Sequence, residues 1–387
     1  MVAMSVRRFA VALAASLAII LAGRTAAAFP QWQFSSGAAR CDQCHFAPAG
    51  SGLLTGYGQD AAGEELATFG GNGAFLHGAV KLPAAVGLGG DFRAAFVAED
   101  VQDPGGPKVA VFPMQAQLNA RVSLGDFSAY GNIADRGQLR SNADLVPSQN
   151  YQPITKSWLI SPEHWVMWRP SAVGPYVRAG RFFAPFGMRF AEHTLYVRRD
   201  TGFNLMQETY NVSGGYVSDD LELHVTAFAP DFLRHMGSNE SGVAAYFERR
   251  ILDGTGSIAV QARYAAMPGA GRTIVGAIGK YWLAPLRTML LGEGDLIHRE
   301  VGVAGGSDGL ASAAGFAVLP TKGLMATFFW ERSQTDLGAG DTATNAATGF
   351  LSWFPYAHVE VQVYGQLAVP SGLPSAKTLL AQVHYFL

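Results

Sequence analysis

The 387 residues contain only two cysteines, both within Cys41-Asp42-Gln43-Cys44-His45. Two thiols three positions apart, followed at once by a histidine, suit c-type haem attachment. The thiols add across the two haem vinyl groups, and His45 comes beneath the iron as proximal ligand. One covalent haem c on Cys41, Cys44 and His45 is therefore expected. The alternatives are a small disulfide, a thiol redox pair and a structural zinc. A redox pair would want a thioredoxin-like context, and none is visible. Zinc would need four ligands, and this stretch offers Cys41, Cys44, His45 and His77. The sixth ligand of a haem is less local. The first methionine after the motif is Met114, far along the chain. His77 is the other histidine before the strand-rich part, which makes it the candidate distal ligand.

The flanks of the motif suit a small haem clamp. Phe29, Pro30, Trp32 and Phe34 precede it, and Phe46, Pro48, Leu53, Leu54 and Tyr57 come after. A short helix through residues 64–69, stopped by Gly70-Gly71, is expected. A segment of residues 29–86 is too small for a sizeable core, so it must lean on the haem and on the strand-rich remainder of the chain. Before it, Arg7 and Arg8, the charge-free apolar run 9–22 and Ala26-Ala27-Ala28 read as an export signal over residues 1–28, cleaved after Ala28. The apolar run is short for a membrane helix, and no later stretch reaches about 20 apolar residues.

Strands supply the elements that position the motif. From about Gly87 to Leu387 the pattern has period two. Val359, Val361, Val363 and Leu367 alternate with His358, Glu360, Gln362, Tyr364 and Gln366. Leu221, Leu223, Val225 and Ala227 alternate with Glu222, His224 and Thr226. Similar faces recur at Ala116–Val122, with Leu118 against Gln117 and Asn119, at Ile258 to Tyr264, and at Leu324 to Trp330. Side chains alternate across a strand, so each strand has an oily and a wet face. Charged residues make up 15% of the chain, low for a soluble protein, and a lipid-facing surface explains that. Short turns at 218–220 and 253–256 contrast with a long loop at 137–156. The expected fold is all-β: a transmembrane outer-membrane β-barrel of about 16 strands over residues 87–387, preceded by the small, mostly irregular or helical haem segment. A soluble β-rich periplasmic haem protein is the other architecture that alternation allows.

Residues 174–199 break the alternation with Gly, Pro and paired Phe. Gly180-Arg181-Phe182-Phe183-Ala184-Pro185-Phe186-Gly187, then Arg189 and Glu192-His193, resembles a segment of phosphate-selective porins that leads into a loop near the pore constriction. That resemblance implies that Arg181, Arg189, Glu192, His193, Arg198 and Arg199 line the lumen; solvated loop charges are the alternative. The whole chain resembles the fused monohaem cytochrome–porin proteins of the bacterial outer membrane, best known from iron-oxidising bacteria. The resemblance rests on order: export signal, one Cys-x-x-Cys-His, then barrel. Residues 47–58, with Pro48 and Gly52-Leu53-Leu54-Thr55-Gly56-Tyr57-Gly58, look more like small exported one-haem proteins.

The resemblance implies electron transfer between an extracellular donor or acceptor and periplasmic c-type cytochromes or other redox carriers, with outer-membrane lipid around the wall. The haem segment would sit on the periplasmic side or inside the lumen. The alternative is a porin for small anionic solutes, with Arg121, Arg181, Arg189 and Arg263 setting anion preference and the segment acting as plug or redox sensor. A net charge of -2 and the lack of a basic stripe argue against a nucleic-acid partner. No acid–base or nucleophilic constellation for bond-making is evident, so any enzyme activity is expected to be electron transfer at most.

Overall fold

A computed structural model describes residues 30–35, 37–100, 108–135, 159–204, 207–232, 239–302 and 305–387. The export signal and the expected loop at 137–156 lie outside the described residues. Sixteen antiparallel strands close into one barrel. The first four are β1 (Val86–Asp100), β2 (Lys108–Leu124), β3 (Phe127–Asp135) and β4 (His164–Trp168). Then come β5 (Gly174–Phe182), β6 (Thr209–Val217), β7 (Leu221–Ala229) and β8 (Ser241–Ile251). They are followed by β9 (Gly256–Met267), β10 (Ala270–Leu283), β11 (Thr288–Val301) and β12 (Gly306–Thr321). The last are β13 (Leu324–Gln334), β14 (Ala343–Trp353), β15 (Val359–Pro370) and β16 (Ala376–Phe386). Each strand pairs with its neighbours in the chain, and β1 closes on β16 with Asp91 opposite Phe386.

Closure satisfies every edge, which an isolated sheet in lipid could not do. The alternation read from the sequence sets which face points where. On β7, Glu222, His224 and Thr226 are fully buried while Val225 is 54% exposed. On β13, Glu331 is buried and Trp330 is 57% exposed. Outside is thus the apolar face and inside the polar one, the reverse of a soluble barrel. Some of the exposed aromatics lie toward the rims, while Phe247, Phe316, Phe328 and Trp330 lie along the strands between. Phe127, Tyr216, Tyr281, Trp353 and Tyr356 stand near the rim that carries the start of β1 and the end of β16; Tyr264 and Phe232 stand toward the other. Such girdles suit the two lipid–water boundaries. Tight connections (125–126, 218–220, 252–255 and 322–323) share the first rim, and the longest ones (136–163 and 183–208) share the second.

The segment before the wall holds two short helices, α1 (Cys41–Cys44) and α2 (Gly56–Ala61). α2 runs on into a wider turn at Ala62–Leu66. The helix expected through residue 69 stops there. Thr68 and Phe69 instead donate their backbone N–H groups to Phe354 and Pro355 on the β14–β15 turn, at 2.8 and 2.9 Å. Pairing with the barrel rim thus replaces the last helical turn.

Candidate functional site

The Cys–His motif is carried by α1, one helical turn that brings both thiols to the same short stretch. Both cysteines are free thiols, Cys44 buried and Cys41 partly so. The His45 N–H closes the turn on the Cys41 carbonyl at 3.0 Å, and His45 then pairs in extended form with Leu54. Thr55 ties the two halves together: its N–H donates to Cys44 and its hydroxyl to Gln43, at 2.8 and 2.6 Å. α2 lies directly on the Cys44 carbonyl, where a Cβ at Gly58 would overlap that oxygen. Gly50, at φ +83°, faces Cys41 and the His45 ring. A Cβ there would stand 3.4 Å from Cys41 Cβ, 3.8 Å from His45 Cδ2 and 3.9 Å from Cys41 Sγ, so Gly50 packs within ordinary contact distance of both thiol and imidazole, and its positive φ is what calls for glycine. Burial pushes the Cys44 thiol up to about 12 and the Cys41 thiol up as well. A reactive redox pair needs the opposite shift. Among the described residues no three His, Cys, Asp or Glu side chains group as a multi-ligand metal site would require. The donor set, two thiols and an imidazole on one short turn, therefore fits a haem held by two thioethers and one imidazole.

The segment is docked into the wall by charge. Asp42, between the two cysteines, pairs with Arg40 at 3.1 Å and with Arg169 beyond β4, while Arg40 also reaches Asp219 on the β6–β7 turn. Glu222 on β7 receives Arg189 at 2.9 Å, Arg250 at 3.1 Å and His224 Nε2 at 2.7 Å. Those arginines reach the segment too: Arg189 donates to Ala49 O at 3.1 Å and Arg250 to Ala39 O at 2.8 Å. Lys280 bridges Glu248 at 2.7 Å and Gln33 at 2.8 Å.

The 183–208 connection folds inward, and glycine makes its departure possible. At Gly180, φ +142°, a Cβ would overlap the His164 carbonyl and Trp165. The loop is held by strands on the other side of the barrel. Met188 N–H donates to Glu293 at 2.9 Å and Tyr196 N–H to Glu331 at 2.7 Å. A short helix, α3 (Tyr196–Arg199), lies at this contact. Trp32, Phe34 and Leu66 of the segment meet Met188, Phe190 and Leu195 of the loop and Met289, Phe329 and Phe350 of the wall in one buried apolar cluster. A cluster of this kind excludes water from that part of the lumen.

Most of the arginines expected to line the lumen are neutralised. Arg181 faces Asp231 at 3.4 Å and Glu208 at 3.5 Å and donates to Pro162 O at 2.6 Å. Arg189 is spent on Glu222, and Arg263 pairs with Glu240 at 2.7 Å. Arg198 donates to loop carbonyls, including Phe203 O at 2.7 Å, and Arg199 pairs with Asp200 at 2.8 Å. Glu192 is buried in the loop and His193 is partly exposed. Arg121 lies over the Phe46 ring at 3.6 Å. His77 is placed at the rim, its Nε2 hydrogen-bonded to the Tyr385 hydroxyl at 3.2 Å and its ring edge-on to His358 at 4.5 Å. The motif contacts residues 50–58 and, through Asp42, Arg40 and Arg169, whereas His77 contacts Tyr385 and His358 at the rim.

Sequence reasoning passed over three contributors: Asp42, Glu222 and Arg178. Asp42 was visible as a charge inside the motif. Arg178 shares strand parity with Tyr176, which marks it as inward-facing. Glu222 was placed on the wet face of β7, but its partners come from elsewhere in the chain.

The sequence matches no family profile and no curated protein. Solved structures do match in shape. Pseudomonas putida OprB aligns with a TM-score of 0.60 and 11% identity over 78% of this chain and 94% of its own. The outer-membrane channel DcaP of Acinetobacter baumannii gives 0.54 and 12% over 80% of this chain and 99% of its own. Salmonella typhi OmpF, solved in complex with daunomycin, gives 0.54 and 12% over 78% and 97%. The fold is that of a 16-strand outer-membrane porin barrel.

Proposed function

We propose that this chain is an outer-membrane monohaem cytochrome–porin that moves electrons between an extracellular donor or acceptor and periplasmic cytochromes or similar carriers. The observation that carries the reading is Cys41-x-x-Cys44-His45 on one turn, in a segment docked inside a porin-type barrel. A covalently held haem supplies a one-electron iron centre there. The protein's own part is to hold that turn and exclude water. Asp42 with Arg40 and Arg169 fixes the helix. The apolar cluster of segment, loop and wall closes the lumen beside it. Barrel habit assigns the tight-turn rim to the periplasm, which brings the motif to that side. His77, the candidate second ligand of the iron, is held by Tyr385 and His358 at the rim.

The likeness to porins favours a second reading, an outer-membrane channel for small anionic solutes with residues 29–86 as plug or redox sensor. Proteoliposomes carrying an internal electron acceptor separate the two. Under the conduit reading an external reductant reduces the acceptor through the wild type, and a Cys41→Ala/Cys44→Ala variant stops it. Equal rates through both, with passage of small anions, would leave the porin reading alone standing.

A further inference from the structure

Among the described residues, two guanidinium groups on the β2–β5 side of the wall make no salt bridge. Arg178 on β5 stands opposite Met167 on β4 and is 3% exposed. It lies 3.7 Å over the Phe182 ring and 5.5 Å from the Trp165 ring, and its Nε is buried without a partner. Arg121 on β2 also has a buried, unpartnered Nε, with its guanidinium over Phe46. Elsewhere in the lumen Arg181, Arg189, Arg250 and Arg263 each meet a carboxylate. Arg178 is buried and makes no salt bridge among the described residues, with Glu163 a carboxylate whose charge acts on it from further off. A buried charge so thinly compensated is costly, so a wall that pairs its other buried cations leaves Arg178, and with it the partly exposed Arg121, for something else.

Their surroundings say what. Both lie against an aromatic cluster in which Phe46, Ala47 and Leu53 of the segment pack with Tyr130, Trp165 and Tyr176 of the wall. Tyr130 and Trp165 are stacked, centroids 5.0 Å apart. The cluster begins one residue after His45. Aromatic surface suits the face of a flat apolar ring system, and a guanidinium fork suits carboxylates at its edge. We infer that Arg178, with Arg121 as a second contact, binds the propionate carboxylates of the haem attached at Cys41 and Cys44. This rests on the haem reading above. A free carboxylate solute in the lumen has the same chemistry, and the experiment separates the two sources.

The full chain is made in a host competent for c-type attachment, and barrel assembly is checked by heat-modifiable mobility. Haem per chain, midpoint potential and the propionate bending band in resonance Raman are compared for wild type, Arg178→Gln and Arg178→Lys. With haem retained, Arg178→Gln is expected to lower the potential, since a cation that favours the reduced iron is gone, and to shift the propionate band. Arg178→Lys is expected to keep most of the potential yet shift the band, because an ammonium binds at one point. If Arg178→Gln does not assemble, the band in Arg178→Lys decides. Unchanged potential and band in a haem-loaded variant would overturn this inference alone. A wild type without c-type haem overturns both it and the proposed function. Block of the ion current by added acetate, lost in Arg178→Gln while the haem signals stay fixed, would assign the site to free carboxylates and overturn it likewise.

Discussion

The segment that carries the motif touches two patches of the lumen wall, and they are finished differently. Toward β7–β10 it meets Glu222, Glu248, Arg250 and Lys280, each charge answered by another. Toward β2–β5 it meets Tyr130, Trp165, Met167 and Phe182, with Arg121 and Arg178 lying over aromatic rings and in no salt bridge among the described residues. The first patch is complete with protein alone, so it docks the segment. The second has aromatic surface and two arginines outside any salt bridge among the described residues, which under the proposed haem reading are the surroundings an anionic flat cofactor would complete. Under that reading most of the docking charge lies on one side of the barrel and the cofactor surroundings on the other, with Arg169 on Asp42 the docking contact shared by the second side.

Substitutions can break that contrast. The largest effect is expected in the docking patch. Glu222→Ala strands Arg189 and Arg250 without their shared carboxylate and should cost about 3–5 kcal/mol. Urea unfolding in vesicles measures this, and trypsin cleavage after Arg40 and Lys81 should rise. Next comes a change of opposite sign. In a Cys41→Ala/Cys44→Ala background, Arg178→Met should stabilise the protein by about 1–4 kcal/mol, because an unpaired buried charge is removed. In the haem-loaded chain the same substitution should destabilise. The same sign in both would erase the distinction between the patches. Arg121→Met should cost about 0.5–1 kcal/mol through the lost cation–π contact with Phe46. Smallest is Tyr385→Phe at the rim, where loss of the hydrogen bond to His77 should cost about 0.5 kcal/mol and leave the haem spectrum unchanged. A spectral change would link His77 to the iron.

The wall was legible because its determinants are local. A period of two needs only neighbouring residues, and Leu223, Val225, Glu222 and His224 declare their faces without help. The inward loop after β5 was legible too, since Gly180 and the Phe–Pro run end regular pairing. The charge state of the lumen was not. Arg181, Arg189 and Arg263 read as free cations, yet Asp231, Glu222 and Glu240 neutralise them, and those contacts exist only once the barrel closes. The docking of the segment was hidden for the same reason: the Gln33–Lys280 hydrogen bond and the reach of Arg40 to Asp219 cross most of the chain.

The pyridine haemochrome spectrum of the purified full-length protein, made in a host competent for haem attachment, tests the central claim most directly. The account predicts a c-type band at one haem per chain, lost in Cys41→Ala/Cys44→Ala. No c-type band in the wild type, or the same band in the variant, would contradict it.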